Sequence, residues 1–217
     1  MTERQVQGFQ LERLINERLD GYVPSTDYTS QHDGMFQGMP VSIKCMKARG
    51  DICMSDFKRI VTDASPSLML LALRQSEFRQ TLYILSFPNG TRGIFGRHAD
   101  AVTELVSEFS SYMRDECSNS RAYDATWRQR RRQFMHDYVD AFCQDVPMIM
   151  PRPKRDHKHQ RRLQCAVPHN RQADFLSRYA ITSIQPTDIM GMTDDDWTLL
   201  SERMKSHVMT MATDDIA

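Results

Sequence analysis

Apolar residues recur near the start of the chain as Phe9, Leu11, Leu14, Ile15 and Leu19, a spacing that predicts one buried face of a helix over about 6–19. Asp20-Gly21 closes it, because glycine enters the left-handed cap conformation without a Cβ clash. The period then shortens. Tyr28 to Phe36 and Met39 to Lys44 read as the two strands of a hairpin, with Gln37-Gly38 at the turn. The polar stretch 47–60 reads as a connection whose latter half forms a helical turn. Ser67–Leu73 and Thr81–Phe87 are apolar and bounded by turn residues, which predicts buried strands, and Pro88-Asn89-Gly90 is a turn.

Helical spacing returns at Val102, Leu105, Val106, Phe109 and Met113, predicting a helix over 98–117. A further helix over 123–143 places Trp127, Phe134, Tyr138 and Phe142 on one side, with Arg128, Arg130, Arg131 and Arg132 mostly elsewhere. Pro147, Pro151 and Pro153 forbid regular helix beyond it. Residues 161–167 predict a strand, 171–179 a short helix, and 194–207 a last helix with Thr193 as its N-cap. The order of helix, strands, helices, strand and helix predicts an α/β (α+β) fold, a small mixed sheet flanked by helices. A single domain is expected over 1–180, with an acidic helical appendage over 181–217.

Composition adds a sharper point than its averages suggest. The formal net charge is zero, yet residues 121–171 hold twelve Lys and Arg against five Asp and Glu, while 172–217 hold three against eight. Segregated charge of this kind implies a polyanion-binding face. The five cysteines are scattered with no CxxC pair, which implies free thiols in a reducing compartment. The longest apolar run, Leu68 to Leu73, is too short to span a bilayer, and the first residues lack the apolar core of a secretory signal. An intracellular protein, cytoplasmic or nuclear and without a membrane partner, is the expectation. No phosphate-binding loop, dinucleotide fingerprint or GxSxG elbow occurs.

Candidate chemistry gathers in the hairpin, which carries Asp33 on one strand and Lys44 at the end of the other. Strand alternation puts Ser42 and Lys44 on one face, with Val41 and Ile43 on the opposite one. With Glu12 on the preceding helix, this order resembles the PD-(D/E)xK nuclease fold of many type II restriction endonucleases and Holliday-junction resolvases. The phrase DGMFQGMPVSIK is also similar to a small group of restriction-like nucleases that carry a later basic element, here residues 154–167.

The resemblance implies a restriction endonuclease-like core with C-terminal helical additions, acting as a Mg²⁺-dependent (or Mn²⁺-dependent) endonuclease on double-stranded DNA. A homodimer is implied if both strands are cut. Asp33 and a second acid would bind the metal together with the main-chain carbonyl of Ile43, and Lys44 would stand beside the scissile phosphate. Where the second acid is expected the chain has Ser42. Asp56 (or Asp51) from the following segment can supply the carboxylate, Glu12 can complete the site, or the site is silent and the protein only binds DNA or serves in assembly. The basic element offers Lys154, Arg155, His157, Lys158, Gln160, Arg161, Arg162 and Gln164 as DNA contacts, since Lys and Arg neutralise phosphates and Arg and Gln match base edges. His157, His159, His169 and Cys165 read as surface or nucleic-acid contacts and not as a zinc site. Asp194 to Asp196 read as acids favoured at a helix start.

Overall fold

Which face each element buries follows from its apolar spacing, and the computed structural model describes residues 3–27, 32–76, 79–115, 125–155, 161–184 and 191–214. In chain order these form α1 (Glu3–Arg18), β1 (Tyr22–Pro24), β2 (Gly34–Phe36), β3 (Met39–Lys47), β4 (Ile52–Asp56), α2 (Phe57–Thr62), β5 (Ser67–Arg74) and β6 (Gln80–Phe87). A 3₁₀ stretch (Thr91–His98) precedes α3 (Ala99–Asp115), α4 (Ala125–Asp140), β7 (Met150–Arg155), β8 (Arg161–Val167), α5 (Gln172–Tyr179), β9 (Ala180–Ile184) and α6 (Asp194–Asp214). The protein is thus mixed α+β, with a mixed sheet flanked by helices. No helix among the described residues is long and apolar enough to cross a membrane. Among the described residues, Cys45, Cys53, Cys143 and Cys165 form no disulfide.

Two compact units emerge, interleaved along the chain: Met1–Gly50, Pro66–Pro88 and Leu176–Ala217 make the first, Asp51–Ser65 and Asn89–Phe175 the second. The first holds a six-stranded sheet in the order β1-β2-β3-β5-β6-β9. Neighbours are antiparallel except β3 and β5, which run parallel with Ser42 opposite Met69 and Lys44 opposite Leu71. Parallel neighbours require a long crossover, and the segment carrying β4 and α2 makes it.

One core fills the first unit. Leu11, Ile15 and Leu19 of α1 pack with Val41 and Ile43 of β3, Leu68, Leu70 and Ala72 of β5, and Trp197, Leu200 and Met204 of α6. The segment 181–217 therefore contributes β9 and α6 to this unit, α6 as part of its core. Phe9 departs from the helix-face expectation. It is 53% exposed because it lies about 200° round the helix from Leu11, off the buried stripe. Thr193 caps α6 as expected: Asp196 N–H donates to Thr193 Oγ1 at 3.3 Å and Asp196 Oδ2 accepts the Thr193 N–H at 2.9 Å.

The second unit is built on aromatic rings and a three-stranded antiparallel sheet, β4-β8-β7. Phe109 of α3 stacks on Phe134 of α4 at 4.1 Å, and Phe57 meets Tyr138 edge-on at 5.7 Å. Pro151 and Pro153 sit in β7, an edge strand, where a missing N–H on the outer side breaks no ladder bond. The Tyr138 hydroxyl, at the centre of the unit, donates to the Ile149 carbonyl at 2.5 Å. Burial holds this phenol far above its ordinary range. Tyr138→Phe leaves that carbonyl without its partner, and the expected loss is about 1–2 kcal/mol, read as a lower denaturant midpoint with an unchanged m-value.

Candidate active site

The β2–β3 hairpin turns through Gln37 and Gly38, both at positive φ (48° and 83°), the conformation a two-residue turn needs to match strand twist. That turn fixes the register, with Gly34 opposite Val41 and Phe36 opposite Met39. Asp33 stands one residue before β2, and its main chain is held on three sides. Its N–H donates to the Val41 carbonyl at 3.0 Å, and its own carbonyl accepts the Ser25 N–H at 2.9 Å and the Tyr22 hydroxyl at 3.0 Å. The Asp33 side chain therefore leaves a fixed point. Its Oδ2 accepts the Ile43 N–H at 2.5 Å and lies 3.4 Å from Lys44 Nζ.

Val41 and Ile43 are buried in the core of the first unit, which turns Ser42 and Lys44 to the other face of β3, as strand alternation requires. The Lys44 side chain is 22% exposed and that of Asp33 35%, so their charges interact in a partly desolvated setting.

Glu12, on α1, belongs to the same cluster. Its carboxyl holds its proton more tightly than an exposed glutamate, first because it is half-buried and then because Asp33 repels its negative form; Lys44 opposes both. Tyr22 reports the same field: burial, Asp33 and then Glu12 push its phenol up to about 12. The structure thus pairs Asp33 with Lys44, holds the Asp33 main chain by Tyr22, and sets Glu12 within reach of both charges.

Two members of this neighbourhood have no signature in the sequence. Tyr22 lies in β1, a strand of three residues without alternation, and His32 lies in the irregular approach to β2. His32 Nδ1 sits 3.2 Å from Ser42 Oγ, so an imidazole adjoins the position where the resemblance implies a second acid.

The other candidates fall in the second unit. Asp56 is the N-cap of α2, its Oδ1 accepting the Arg59 N–H at 3.2 Å. Asp51 pairs with Arg152 and accepts the His169 N–H at 3.0 Å. Lys154 and Arg155 end β7, and Arg161, Arg162 and Gln164 lie in β8; His157, Lys158 and Gln160 lie outside the described residues.

A divalent cation fits the first unit's cluster on charge. Two carboxylates stand near enough for one to raise the pKa of the other, with Lys44 opposing only part of the effect. Asp33 Oδ1 has no hydrogen-bond partner among the described residues. No three His, Cys, Asp or Glu side chains gather at one point among those residues. One or two carboxylates with several waters is the coordination Mg²⁺ favours.

The raised pKa of Glu12 has a thermodynamic consequence. A carboxyl whose pKa rises on folding destabilises the native state at high pH; the penalty is absent below its unfolded value of 4.5 and grows as pH rises through the window up to the folded value. Glu12→Gln therefore raises Tm at neutral pH in metal-free buffer, and the gain disappears as the pH approaches 4.5. Thermal melts across that range check it; a gain independent of pH would show that Glu12 is not strained in this way.

Comparison with known proteins adds no relative: no family model, curated protein or solved structure matches the chain.

Proposed function

We propose that the protein is a divalent-metal-dependent DNA endonuclease of restriction endonuclease-like fold. The observation that supports this reading is the Asp33–Lys44 pair at 3.4 Å, with Glu12 of the same unit within electrostatic reach of both. The element order supports it too, since helix α1 with its acid, Asp33 one residue ahead of strand β2, and strand β3 with Lys44 follow one another as the PD-(D/E)xK resemblance requires.

Asp33 and Glu12 would hold the metal, Mg²⁺ or Mn²⁺. Once bound, the ion neutralises charge on the phosphate and lowers the pKa of an attacking water. Asp33 is well suited to such a task, because the Ile43 N–H fixes one of its oxygens and leaves the other open. Lys44 contributes a positive charge on the same face of β3, positioned to stabilise negative charge that develops on a phosphate oxygen. Glu12 is the residue in which burial and a like charge favour cation binding most, since a divalent ion relieves both.

Incubation of supercoiled plasmid with wild-type protein tests the proposal directly. Nicking or linearisation in Mg²⁺ or Mn²⁺, abolished by EDTA, is the expected result; no conversion in either metal overturns it. A binding-only protein is the second reading, and one observation favours it: Ser42, engaged with His32, brings no negative charge to the position of the second acid. On that reading DNA binding survives Asp33→Ala and plasmid remains intact.

A further inference from the structure

In the second unit, strands β7 and β8 alternate cleanly between two faces. Pro151 opposite Cys165 and Pro153 opposite Leu163 turn to the covered side, where Pro151, Leu163 and Cys165 are buried. Arg152 opposite Gln164 and Lys154 opposite Arg162 turn outward, the three cations exposed and the glutamine half-buried. Strand β4 pairs with β8 only from Gln164 to Val167, after which the chain leaves through the Asp56 cap into α2. From Leu163 outward the described sheet is therefore two strands wide, β7 and β8 alone.

Among the described residues, charge on the outward face is only partly balanced. Arg152 is paired with Asp51, and Asp56, opposite Gln164, caps α2. Lys154 and Arg162 have no ion-pair partner among the described residues. Like charges directly opposite one another on adjacent strands are destabilising. Lys154 opposite Arg162 is such a pair, so this face of the ribbon is suited to an anionic surface laid across both strands.

We infer that this two-stranded extension docks in the major groove of duplex DNA, with Lys154 and Arg162 as its phosphate contacts and Gln164, at its root where β4 still pairs, on the same face towards the base edges. The width of the ribbon selects the groove. Neighbouring strands lie about 4.8 Å apart, so two strands with their side chains fill a groove about 12 Å wide, and the minor groove at about 6 Å admits no such ribbon undistorted. The inference rests on the DNA reading above but not on cleavage.

Fluorescence anisotropy with a labelled random-sequence duplex in EDTA tests it without any metal-dependent step. Wild-type protein is expected to bind at low salt, to lose the duplex to methyl green, a major-groove ligand, and to keep it against netropsin, a minor-groove ligand. Each of Lys154→Ala and Arg162→Ala makes the slope of log K against log salt shallower by about one, and together they weaken binding at least about tenfold. Arg162→Lys, which keeps the charge, restores most of the slope.

Competition by netropsin alone, preference for the single strand over the duplex, or unchanged slopes in the alanine variants overturns the inference. Because these residues are exposed, circular dichroism of the variants should match wild type. Plasmid nicking with normal binding by the double variant sinks the ribbon and leaves the nuclease. Ribbon-dependent binding without nicking does the reverse.

Discussion

If the protein is the nuclease proposed above, Lys44→Ala is expected to lower plasmid nicking by about a thousandfold, the range in which removal of one preorganised charge from a developing oxyanion falls. That corresponds to about 4 kcal/mol of barrier. The size follows from where the ammonium sits. It is three-quarters shielded from solvent and 3.4 Å from Asp33 Oδ2, so its field is screened less than that of a surface lysine. Stability should change far less, because a partly exposed ion pair contributes under about 1 kcal/mol. A large kinetic loss with a nearly unchanged melt is the expected signature. Lys44→Arg keeps the charge and should recover part of the rate. Nicking by Lys44→Ala at the wild-type rate would remove Lys44 from the chemistry. Asp33→Asn shares the large loss but adds a binding defect: Mn²⁺ titration followed by electron paramagnetic resonance should show weakened metal binding in that variant, and little change in Lys44→Ala.

The hairpin that places these groups is legible in the chain because three local signals agree: alternation in Val41 to Lys44, a Gln-Gly turn, and apolar ends at Phe36 and Met39. Strands β5 and β6 are legible for a similar reason, since buried strands are short apolar runs between turn residues. The misses share a cause as well. Strands β1, β4, β7 and β9 are edge or short strands whose pairing is set by distant partners. Pro151 and Pro153 argue against strand until the edge position of β7 is known. No local pattern links Ser42 to His32, ten residues away across the hairpin mouth. The interleaving of two units is invisible to composition, because the chain leaves the first unit after Gly50 and returns at Pro66, then leaves again after Pro88 and returns at Leu176. Glu12 could be proposed from element order alone. Its half-buried place beside Asp33 required the helix to pack on the sheet.

Gly34→Ala is expected to be the most damaging single-methyl change in the first unit. A Cβ at this position would lie 2.4 Å from the Tyr22 hydroxyl oxygen, 2.5 Å from its ring carbon and 2.6 Å from the Val23 carbonyl. The last contact is with main chain, so a rotamer change of Tyr22 does not relieve it. Strand β1 must move away from β2, and it has only the register Tyr22 to Pro24 against Gly34 to Phe36 with which to resist. The Tyr22 hydroxyl then leaves the Asp33 carbonyl, one of the three bonds that fix the acid. Overpacking of this kind costs about 2 kcal/mol, a fall in Tm of roughly 5 °C for a chain of this size, and nicking should fall well beyond what the lost stability explains. Tyr22→Phe separates the two effects, since it deletes the hydroxyl bond while leaving β1 in place; it should lower the rate modestly and barely move the melt. A second comparison isolates the main-chain clash. In Tyr22→Ala combined with Gly34→Ala the ring is gone but Val23 remains, so Gly34→Ala should still destabilise that background. If Gly34→Ala alone melts and cuts as wild type, β1 does not lie against β2 as described, and the clamp on Asp33 is not what holds the carboxylate at Ile43 and Lys44.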